Sequence, residues 1–462
     1  MVPLCVRALA VLVALVSSTA VHAQETPPNI VLVFADDLGY GDLSCYGHPA
    51  TQTPRLDALA RDGLRHQSFY VGASVCTPSR AALLTGKYPP QAGLTRNLGP
   101  DSPGGLPLGQ PLLPERLAAA GYRTGAFGKW HLGAVPGYLP TDRGFDTYFG
   151  LLYSNDMEPP WVATTRELRL HRDAAPTDEY PVDQATLTRR YTDAAIAFLD
   201  ESVAAGRPFF AYLPYAMPHL PLAASAPFAG ASAGGDYGDV VEEIDANVGR
   251  LLDHLRAAGL DSTTLVIVTS DNGPWRNLPA RMTATEPVER YHGGSTGALA
   301  GAKNTSLEGG FRVPAIARWP GNIPAGGLSA EPVTSMDVTA TLLQLATGEV
   351  PADLDGHDLA GYWFRGEPSP TDTVLYFQGE RLEAVRAGRW KLRVAPAADD
   401  YGETESSREG EPVLTRLYDL ANDPAEHFDF AGSEPEVVEA LWGVMVREAA
   451  MRGGDTWGRG GE

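Results

Sequence analysis

Acidic and amide side chains follow two apolar runs of this sequence, at the point where each run ends. Asp36 and Asp37 follow the first run, and Asp271 and Asn272 follow the second. Two adjacent carboxylates repel each other unless a positive charge lies between them. An isolated Asp-Asp pair is often a helix N-cap or a solvated pair, but the second oxygen-rich pair favours a shared cation. Oxygen ligands without a thiolate or an imidazole predict calcium or magnesium rather than zinc.

Cys76 begins the run Cys76-Thr77-Pro78-Ser79-Arg80, which precedes a short apolar segment and Gly86. Pro78 suits the first position of a helix, and Gly86 suits the position just past its end. We therefore predict that Cys76 lies at a helix N-terminus, where free N–H groups stabilise a thiolate, an alkoxide or a bound anion. A disulfide with Cys45 is the ordinary alternative in an oxidising compartment. A reactive thiol also stays open, because spacing alone does not identify a histidine base.

Cationic side chains are concentrated in short loops that follow other predicted strands. Lys129 and His131 are two residues apart in one loop, His219 lies between two prolines in a second, and Lys303 lies in a glycine-rich third. Taken singly, such a lysine is usually solvated and such a histidine often belongs to a turn. Together with Arg80 and the oxygen ligands, they form the set that an anionic ester site requires.

The balance of charge makes this concentration of cations informative. The 462-residue chain carries a formal net charge of −21, so it lacks the basic face that nucleic-acid binding requires. An acidic protein attracts an anionic substrate only where it gathers cations locally. With 44% apolar and 20% charged residues, the composition is that of a globular protein and excludes a disordered or fibrous chain.

Apolar runs that predict buried strands alternate with amphipathic segments that predict helices. The strands are predicted at residues 29–35, 122–127, 207–215, 263–270 and 313–319, and the helices at 54–62, 113–120, 187–203 and 240–258. This alternation is typical of an α/β protein with a largely parallel sheet. Ligand sites in such sheets lie at the carboxyl ends of strands, which is where the two acidic pairs occur.

The alternation of strands and helices weakens after about residue 363. Short strands are predicted at 374–378, 382–394 and 414–420, followed by a helix at 435–451, and the acidic stretch 395–412 is predicted to be a mobile loop. We therefore predict a catalytic domain over residues 24–365. A smaller C-terminal subdomain is predicted over residues 366–462, with a four-stranded antiparallel sheet and a helix.

The first 23 residues have the pattern of a cleaved signal peptide. Arg7 precedes an apolar run at 8–16, and small residues follow as far as Ala23, after which cleavage is expected. A membrane anchor is the alternative, but the run is far shorter than the roughly 20 residues that span a bilayer. Later segments contain no comparable apolar stretch, so we expect no membrane span and a periplasmic or extracellular location.

The motifs together resemble those of the sulfatases in the alkaline-phosphatase-like superfamily, and most closely the arylsulfatase A type. The segments that carry the resemblance are 36–43, 76–86, 128–133, 153–156, 270–274, 308–310 and 417–424, and they span nearly the whole chain. The Cys-x-Pro-Ser-Arg signature at 76–80 is the most specific of them. The resemblance implies an α/β sandwich with a large mixed, mostly parallel sheet flanked by helices, and a smaller antiparallel C-terminal sheet.

The resemblance also implies cofactors and site residues. A maturation enzyme would oxidise Cys76 to Cα-formylglycine before folding. One calcium ion per chain would be bound by Asp36, Asp37, Asp271, Asn272 and the converted residue 76. The positions that match the family's catalytic and sulfate-binding residues are Arg80, Lys129, His131, His219 and Lys303, with Ser154 as a further sulfate contact.

The function implied by the resemblance is hydrolysis of sulfate monoesters, either aryl sulfates or sulfated carbohydrates, through a formylglycine-sulfate intermediate. One hydroxyl of the hydrated aldehyde attacks sulfur, and the second then loses its proton to His131, which expels sulfate. His219, together with Lys303, donates a proton to the departing alcohol. Calcium, Lys129 and Lys303 neutralise charge on the sulfuryl oxygens.

Two alternative functions stay open. The same metal and cations suit a phosphoester or phosphonate hydrolase of that superfamily, although two metals would require more ligands than one oxygen quartet. An unmodified member would instead bind sulfated glycans without turnover and would keep an intact thiol at position 76. The chain also lacks the extra cysteines of the arylsulfatase A type, and its segment 157–183 does not match well enough to transfer a substrate preference.

Overall fold

The computed structural model describes residues 27–284, 288–289, 291–397 and 410–459 of the chain. The predicted signal peptide and most of the acidic stretch 395–412 lie outside these ranges. Within them, no helix combines the length and the apolar character needed to cross a membrane.

The strands of the described ranges form two sheets. The first contains β1 (Asn29–Ala35), β2 (Leu64–Tyr70), β3 (Arg123–Phe127), β4 (Thr147–Leu151), β5 (Leu170–Arg172), β6 (Ala175–Pro176), β7 (Phe209–Leu213), β8 (Thr264–Ser270), β9 (Arg312–Arg318), β10 (Gly327–Ser329) and β11 (Val333–Thr334). The second contains β12 (Thr373–Gln378), β13 (Arg381–Ala387), β14 (Trp390–Pro396), β15 (Val413–Asp419) and β16 (Asp455–Thr456).

Helices flank both sheets. They are α1 (Pro54–Arg61), α2 (Cys76–Thr85), α3 (Pro89–Ala92), α4 (Leu113–Ala119), α5 (Leu187–Ala204), α6 (Gly235–Ala257), α7 (Ala280–Thr283), α8 (Glu308–Phe311), α9 (Ser335–Thr347), α10 (Ala360–Arg365) and α11 (Pro435–Met451). Helix α5 packs against β3, β4 and β7, α1 packs against β2 and β9, and α11 packs against β13 and β14.

The first sheet is mixed, with a parallel centre. Its order is β10-β2-β9-β8-β1-β7-β3-β4-β5-β6, and β11 also pairs with β2. Strands β8, β1, β7, β3 and β4 run parallel to one another, whereas β9 and β5 join them antiparallel. Six of the seven residues of β1 are buried, as a continuous apolar run in a covered parallel sheet requires.

The second sheet packs against α2 and Tyr88 of the N-terminal part through a shared apolar cluster. Strands β12 to β15 are antiparallel, and the two-residue β16 pairs parallel with β13. Ala82 of α2 and Tyr88 lie in the same cluster as Leu375, Leu392 and Met445 of the C-terminal part. The C-terminal part therefore contributes to the packing of α2, the helix that begins at Cys76.

The α/β fold predicted from the sequence is confirmed, and most predicted elements agree with the structure to within two residues. The single strand predicted at 382–394 was wrong, because Gly388 adopts a left-handed φ of 56° and turns the segment into the hairpin β13–β14. Helix α6 begins at Gly235, ahead of the apolar stripe that predicted its start at Val240. The boundary at residue 365 stays a prediction.

Candidate active site

The two oxygen-rich pairs end neighbouring parallel strands. Strands β1 and β8 pair in register, with Ala35 opposite Ser270, so Asp36 and Asp271 leave the sheet side by side. The structure thus brings together two segments that are far apart in the sequence. The four predicted ligands are all buried: Asp36, Asp37, Asp271 and Asn272.

Asp37 has a left-handed backbone, with a φ of 65°. Consecutive side chains of an extended strand point to opposite faces, so Asp36 and Asp37 would diverge if β1 simply continued. The left-handed residue redirects the chain, and the Asp37 N–H donates to Asp271 Oδ1 at 3.0 Å. His131 shares the left-handed conformation, with a φ of 60°. Such costly backbone conformations in non-glycine residues cluster at functional sites.

Cys76 is the first residue of α2, and the prediction that Pro78 begins this helix was wrong. The Ser79 N–H donates to Val75 O at 3.1 Å, which makes Val75 the N-cap. Pro78 is tolerated at the third position because the first N–H groups of a helix have no intrahelical acceptor. Gly86 ends the helix in the left-handed conformation, as predicted.

The Cys76 thiol is buried and forms no disulfide within the described ranges, since Cys45 and Cys76 are both free. Its Sγ lies 3.4 Å from Asp36 Oδ1 and 3.3 Å from Lys303 Nζ. Burial raises the pKa of the Cys76 thiol well above its usual range, and Lys129 and Lys303 oppose this only in part. An unmodified cysteine here stays protonated and is a poor nucleophile.

Arg80 is fully buried between two carboxylates. Its Nε and Nη2 donate to Asp271 Oδ2 at 3.0 and 2.8 Å, and Nη2 lies 3.3 Å from Asp36 Oδ1. Its Nη1 donates to Lys129 O at 2.8 Å, which joins α2 to the lysine loop. Burial and the neighbouring Asp36 nevertheless raise the pKa of Asp271 to about 7, against the effect of Arg80. The crowded acids favour additional positive charge.

Lys129 and Lys303 each pair with one of the adjacent aspartates. Lys129 Nζ donates to Asp36 Oδ2 at 2.6 Å, and Lys303 Nζ donates to both Asp37 oxygens at 2.8 Å. Burial alone would lower the pKa of both lysines, but these carboxylates outweigh it and raise the pKa of each. Burial would likewise raise the pKa of Asp36, yet Lys129 and the other nearby cations hold that pKa well below its usual range. Both lysines are therefore charged.

The two ring nitrogens of His131 have different surroundings. Its Nε2 lies 2.9 Å from Leu98 O, and its buried Nδ1 has no partner among the described residues. A carbonyl oxygen can only accept a hydrogen bond, so Nε2 must carry the proton, and Nδ1 of the neutral ring is unprotonated. Burial, with Lys129 as the next cause, holds the pKa of His131 well below its usual range.

His219 and Ser154 lie on the opposite side of the cluster. His219 Nδ1 lies 2.6 Å from Leu220 O, and its Nε2 lies 3.6 Å from Asp37 Oδ2 and 3.5 Å from Ser154 Oγ. Ser154 Oγ also accepts from Lys129 Nζ at 3.1 Å. Burial and then Lys303 lower the pKa of His219.

The donor set fits a hard divalent cation. One ligand atom from each of Asp36, Asp37, Cys76 and Asp271 lies within 4.8 Å of the others. Asn272 Nδ2 donates to Asp37 Oδ1 at 2.6 Å, whereas the buried Asn272 Oδ1 has no partner in the described part of the chain. A cation would satisfy this amide oxygen, which is costly to leave without one. Sulfur is a softer ligand than the oxygens that such a cation prefers. In the donor set, the Cys76 thiol takes the place that an oxygen of a converted residue 76 would have.

Two glycines let these loops approach one another. A Cβ on Gly128, next to Lys129, would lie 1.8 Å from Pro214 O, and a Cβ on Gly273, next to Asn272, would lie 1.7 Å from Gly309 O. Any side chain at either position would push a ligand-bearing loop away from its neighbour.

Comparison with known proteins decides the family. The sequence profile described as Sulfatase matches residues 28–349, and the profile described as N-sulphoglucosamine sulphohydrolase, C-terminal, matches residues 302–445. The chain belongs to the sulfatase family. It is therefore a sulfuric ester hydrolase, and the resemblance seen in its motifs is confirmed.

Relatives of this sulfatase match it over most of their length. Arylsulfatase A of Homo sapiens is 38% identical over 97% of this chain and 92% of its own. N-acetylgalactosamine-6-sulfatase of Sus scrofa is 35% identical over 93% and 87%. The solved structure of Ps i-CgsB in complex with k-i-k-neocarrahexaose is 28% identical, with a TM-score of 0.78 over 92% of this chain and 93% of that one.

A cavity of about 430 Å³ opens onto the acidic cluster of the sulfatase. Its floor contains Cys76, His131, Ser154, His219 and Lys303. Its mouth contains residues that sequence reasoning did not single out, namely Asp156, Trp161, Trp275 and Arg281. Asp156 could have been indicated by its closeness in sequence to Ser154. Trp275 could have been indicated in the same way by the pair Asp271-Asn272. Trp161 and Arg281 lie in segments without a comparable motif.

A second cavity, of about 660 Å³, lies on the other side of the Lys303 loop. Its lining includes Arg276, Tyr291, Gly301, Arg416 and His427, and it shares no lining residue with the first cavity. None of the predicted site residues lines it, whereas five of them line the smaller cavity: Cys76, His131, Ser154, His219 and Lys303.

Proposed function

We propose that this sulfatase hydrolyses the sulfate monoester of a sulfated carbohydrate or an aryl sulfate, with residue 76 acting after conversion of Cys76 to Cα-formylglycine. The position of Cys76 carries the proposal. Its side chain lies at the N-terminus of α2 on the cavity floor, between the Asp36 carboxylate and the Lys303 ammonium. The raised pKa of the thiol opposes a thiolate mechanism, whereas a hydroxyl group at this position would meet both metal ligands and cations.

The converted residue, once hydrated, supplies one hydroxyl whose oxygen bonds to sulfur as the S–O bond to the substrate alcohol breaks. Deprotonation of the second hydroxyl then re-forms the aldehyde and breaks the C–O bond to the sulfated oxygen, which releases sulfate. An unmodified cysteine or a serine lacks the second hydroxyl. The chain's own residues then bind the sulfate group, hold its oxygens and move two protons.

Lys129, Lys303 and Ser154 bind and orient the sulfuryl oxygens. Each of the two ammonium groups is held by an aspartate, so both need little reorganisation when charge develops on the sulfate. Ser154 Oγ lies 3.1 Å from Lys129 Nζ and offers a further hydrogen bond. Arg80 holds Asp271 and the start of α2 in place.

The two histidines serve as acid and base on opposite sides of residue 76. Because His131 Nε2 donates to Leu98 O, its unpartnered Nδ1 is the atom that accepts a proton from residue 76. His219 Nε2 is the atom that donates a proton to the leaving oxygen, since Nδ1 is engaged with Leu220 O. An anionic ester beside His219 favours its protonated form.

Asp36, Asp37, Asp271, Asn272 and the converted residue 76 would hold one calcium ion. Bound there, it supplies Lewis-acid polarisation of a sulfuryl oxygen and lowers the pKa of the attacking hydroxyl. Three hard carboxylates and an amide oxygen without another partner among the described residues support this assignment.

The names of the relatives support both substrate classes, because arylsulfatase A of Homo sapiens is named for aryl sulfates and others are named for, or were solved with, carbohydrates. One of them is named for the 6-sulfate of N-acetylgalactosamine, and another was solved with a carrageenan-type hexaose. The mouth of the cavity adds two tryptophans and an arginine next to the catalytic floor, and pockets of this composition bind ligands larger than the sulfate group alone.

Sulfate release tests the proposal. The chain is co-expressed with a formylglycine-generating enzyme and incubated with an aryl sulfate and with sulfated mono- and oligosaccharides. We expect sulfate release by the wild type and by Cys45→Ala, and none above background by Cys76→Ala. Binding of sulfated glycans without any sulfate release, or a preference for phosphate or phosphonate esters, would refute it.

A further inference from the structure

Arg281 is more exposed than two other basic side chains that line the active-site cavity in the described part of the chain. The side chains of His219 and Lys303, which also line it, are each 4% exposed, whereas that of Arg281 is 34% exposed. The floor cations are engaged with the acidic cluster. Arg281 therefore meets whatever part of a substrate extends from the floor toward solvent.

The guanidinium of Arg281 is held in a defined position. Its Nη1 lies 3.3 Å from Asp156 Oδ2 and 3.4 Å from Trp161 O, and the group stacks over the Trp275 ring at 5.6 Å. Asp156 is buried, and burial alone would raise the pKa of its carboxyl group. His219 and Arg281 outweigh this effect and lower the pKa. Asp156 is therefore ionised and anchors one edge of Arg281 from below.

Trp161 adds a donor to the same mouth. Its Nε1 atom is buried and has no acceptor among the described residues, although buried indole N–H groups usually find one. Trp161 and Trp275 both line the cavity with Arg281, and the Trp275 ring also lies 4.6 Å from Lys303 Nζ. Flat apolar faces with a few fixed polar groups suit the alternating apolar and hydroxyl-bearing faces of a sugar ring.

We propose that the mouth of the cavity selects substrates with a second negative charge, and that Arg281 binds that charge. This inference rests on the proposed function. With the scissile sulfate on the floor, the leaving sugar must pass between Trp161, Trp275 and Arg281. A second sulfate or a carboxylate, on that sugar or on the next one, then meets the guanidinium. The fork of N–H donors on arginine matches the planar carboxylate and the sulfate oxygens.

The alternative role for Arg281 is that of counterion to Asp156 alone. In that role it would position Asp156 and the neighbouring Ser154, and its loss would impair all sulfate esters alike. Selection of a second anion predicts instead a loss that depends on the substrate. The ratio of kcat/KM values between substrates therefore separates the two roles.

The test compares four substrates on the calcium-loaded, converted enzyme. They are an aryl sulfate whose only charge is the scissile sulfate, a monosulfated N-acetylhexosamine, the same sugar with a second sulfate, and its disaccharide with a uronic acid. We expect the wild type to prefer the two doubly charged substrates. Arg281→Gln should lower kcat/KM for them by about tenfold to 100-fold relative to the singly charged ones, mainly through KM, as expected for a lost charged hydrogen bond. Arg281→Lys should retain part of the preference.

Arg276→Gln is the matched control, because Arg276 lines the second cavity and donates to Thr296 Oγ1. It should leave the substrate ratio unchanged. Comparison of the second-sulfate and uronic-acid substrates identifies which anion is selected. An equal loss on all four substrates, or no loss with Arg281→Gln, would overturn the proposal.

Failure of the proposed function is recognised separately, as absence of sulfate release from every substrate by the wild type. In that event, calorimetric binding of the four compounds to wild type and Arg281→Gln still tests Arg281. Equal Kd values for singly and doubly charged sugars in the wild type would overturn the proposal.

Discussion

Lys303 Nζ lies 2.8 Å from both carboxylate oxygens of Asp37, and 3.3 Å from Cys76 Sγ. The lysine thus reaches the second aspartate after strand β1 from a loop 266 residues further along the chain. A charge held between a proposed metal ligand and the proposed nucleophile would have two tasks. It would offset the acidic cluster, and it would meet negative charge that develops on a substrate.

Loss of Lys303 should therefore impair the chemical step. We expect Lys303→Ala to lower kcat by about 10² to 10³, the cost of removing one donor that meets developing charge. Lys87→Ala is the control, since Lys87 lies outside the cavity and pairs with Asp353 at 3.0 Å. Steady-state kinetics with an aryl sulfate measure both. Near wild-type turnover by Lys303→Ala would remove it from the catalytic set.

Conversion of Cys76 should be visible by mass spectrometry. In protein made with a formylglycine-generating enzyme, residue 76 in its tryptic peptide should have lost the sulfur, the thiol hydrogen and one Cβ hydrogen and gained an aldehyde oxygen. Cys45 should stay alkylatable after unfolding, because its sequence context lacks the Pro and Arg that follow Cys76. A fully alkylatable Cys76 in active enzyme would contradict the assignment.

The convergence of the two oxygen-rich pairs could be predicted because their positions follow from a regular pattern. Asp36 and Asp271 each follow a continuous apolar run, and parallel pairing of such runs brings their ends together. The same argument places Lys129 and His219 after β3 and β7. Periodicity thus determines which loops converge, even for segments that are far apart in the sequence.

The remaining features depend on backbone detail that periodicity does not carry. The left-handed backbone of Asp37 follows from its bond to Asp271, which exists only after the strands pair. Strand β2 was missed because its sequence, from Leu64 to Tyr70, interrupts the apolar residues with polar ones. Arg281 occupies a four-residue helix, too short to show a repeating pattern.

Calcium should stabilise the folded protein measurably. A ligand at roughly 100 times its Kd stabilises by about 2.7 kcal/mol, which corresponds to a rise in Tm of roughly 3 to 8 °C. We expect calcium to produce this rise after treatment with a chelator, and Asp271→Asn to abolish it. Asp261→Asn, in a surface pair with Arg318, should keep it. A Tm that is insensitive to calcium and magnesium in the wild type would refute the metal site.

The buried His66 should make the fold sensitive to acid. Burial lowers the pKa of His66 to about 3, and its Nε2 accepts from Trp363 Nε1 at 3.2 Å. An unfolded histidine titrates near 6.5, so the unfolded state binds the additional proton as pH falls from about 6.5 to about 3. The contribution of neutral His66 to the free energy of unfolding is therefore fully present above pH 6.5. Below pH 6.5, this contribution decreases by about 1.4 kcal/mol per pH unit.

Replacement of His66 by glutamine should remove that part of the acid sensitivity. The variant His66→Gln has an amide oxygen that can accept from the Trp363 N–H, and its side chain does not titrate. Urea unfolding at pH 7 and pH 5 measures the effect. Between these pH values, the free energy of unfolding of the wild type should fall by about 2 kcal/mol more than that of His66→Gln. Equal losses in the two proteins would show that His66 is not the titrating group.

Lys391 should be essential for joining the two sheets. Its Nζ lies 3.1 Å from Glu308 Oε1 and 2.9 Å from Glu426 Oε1, with all three side chains fully buried. Burial alone would raise the pKa of Glu308, but Lys391 and nearby arginines outweigh burial and lower this pKa to about 2. Tyr70 of β2 and Tyr376 of β12 donate to the same carboxylate at 2.7 Å, so this ion cluster links the first sheet to the second.

Lys391→Met should destabilise the protein by about 3 to 5 kcal/mol, because it removes the ammonium shared by two buried carboxylates and leaves Glu308 with the more distant Arg312, at 3.5 Å. The double variant Lys391→Met/Glu426→Gln should recover part of this loss, since one of the two charges is then also removed. Guanidinium unfolding monitored by tryptophan fluorescence measures both free energies. If the double variant were as unstable as the single one, the cost would arise from packing around the substituted side chain rather than from the uncompensated charge.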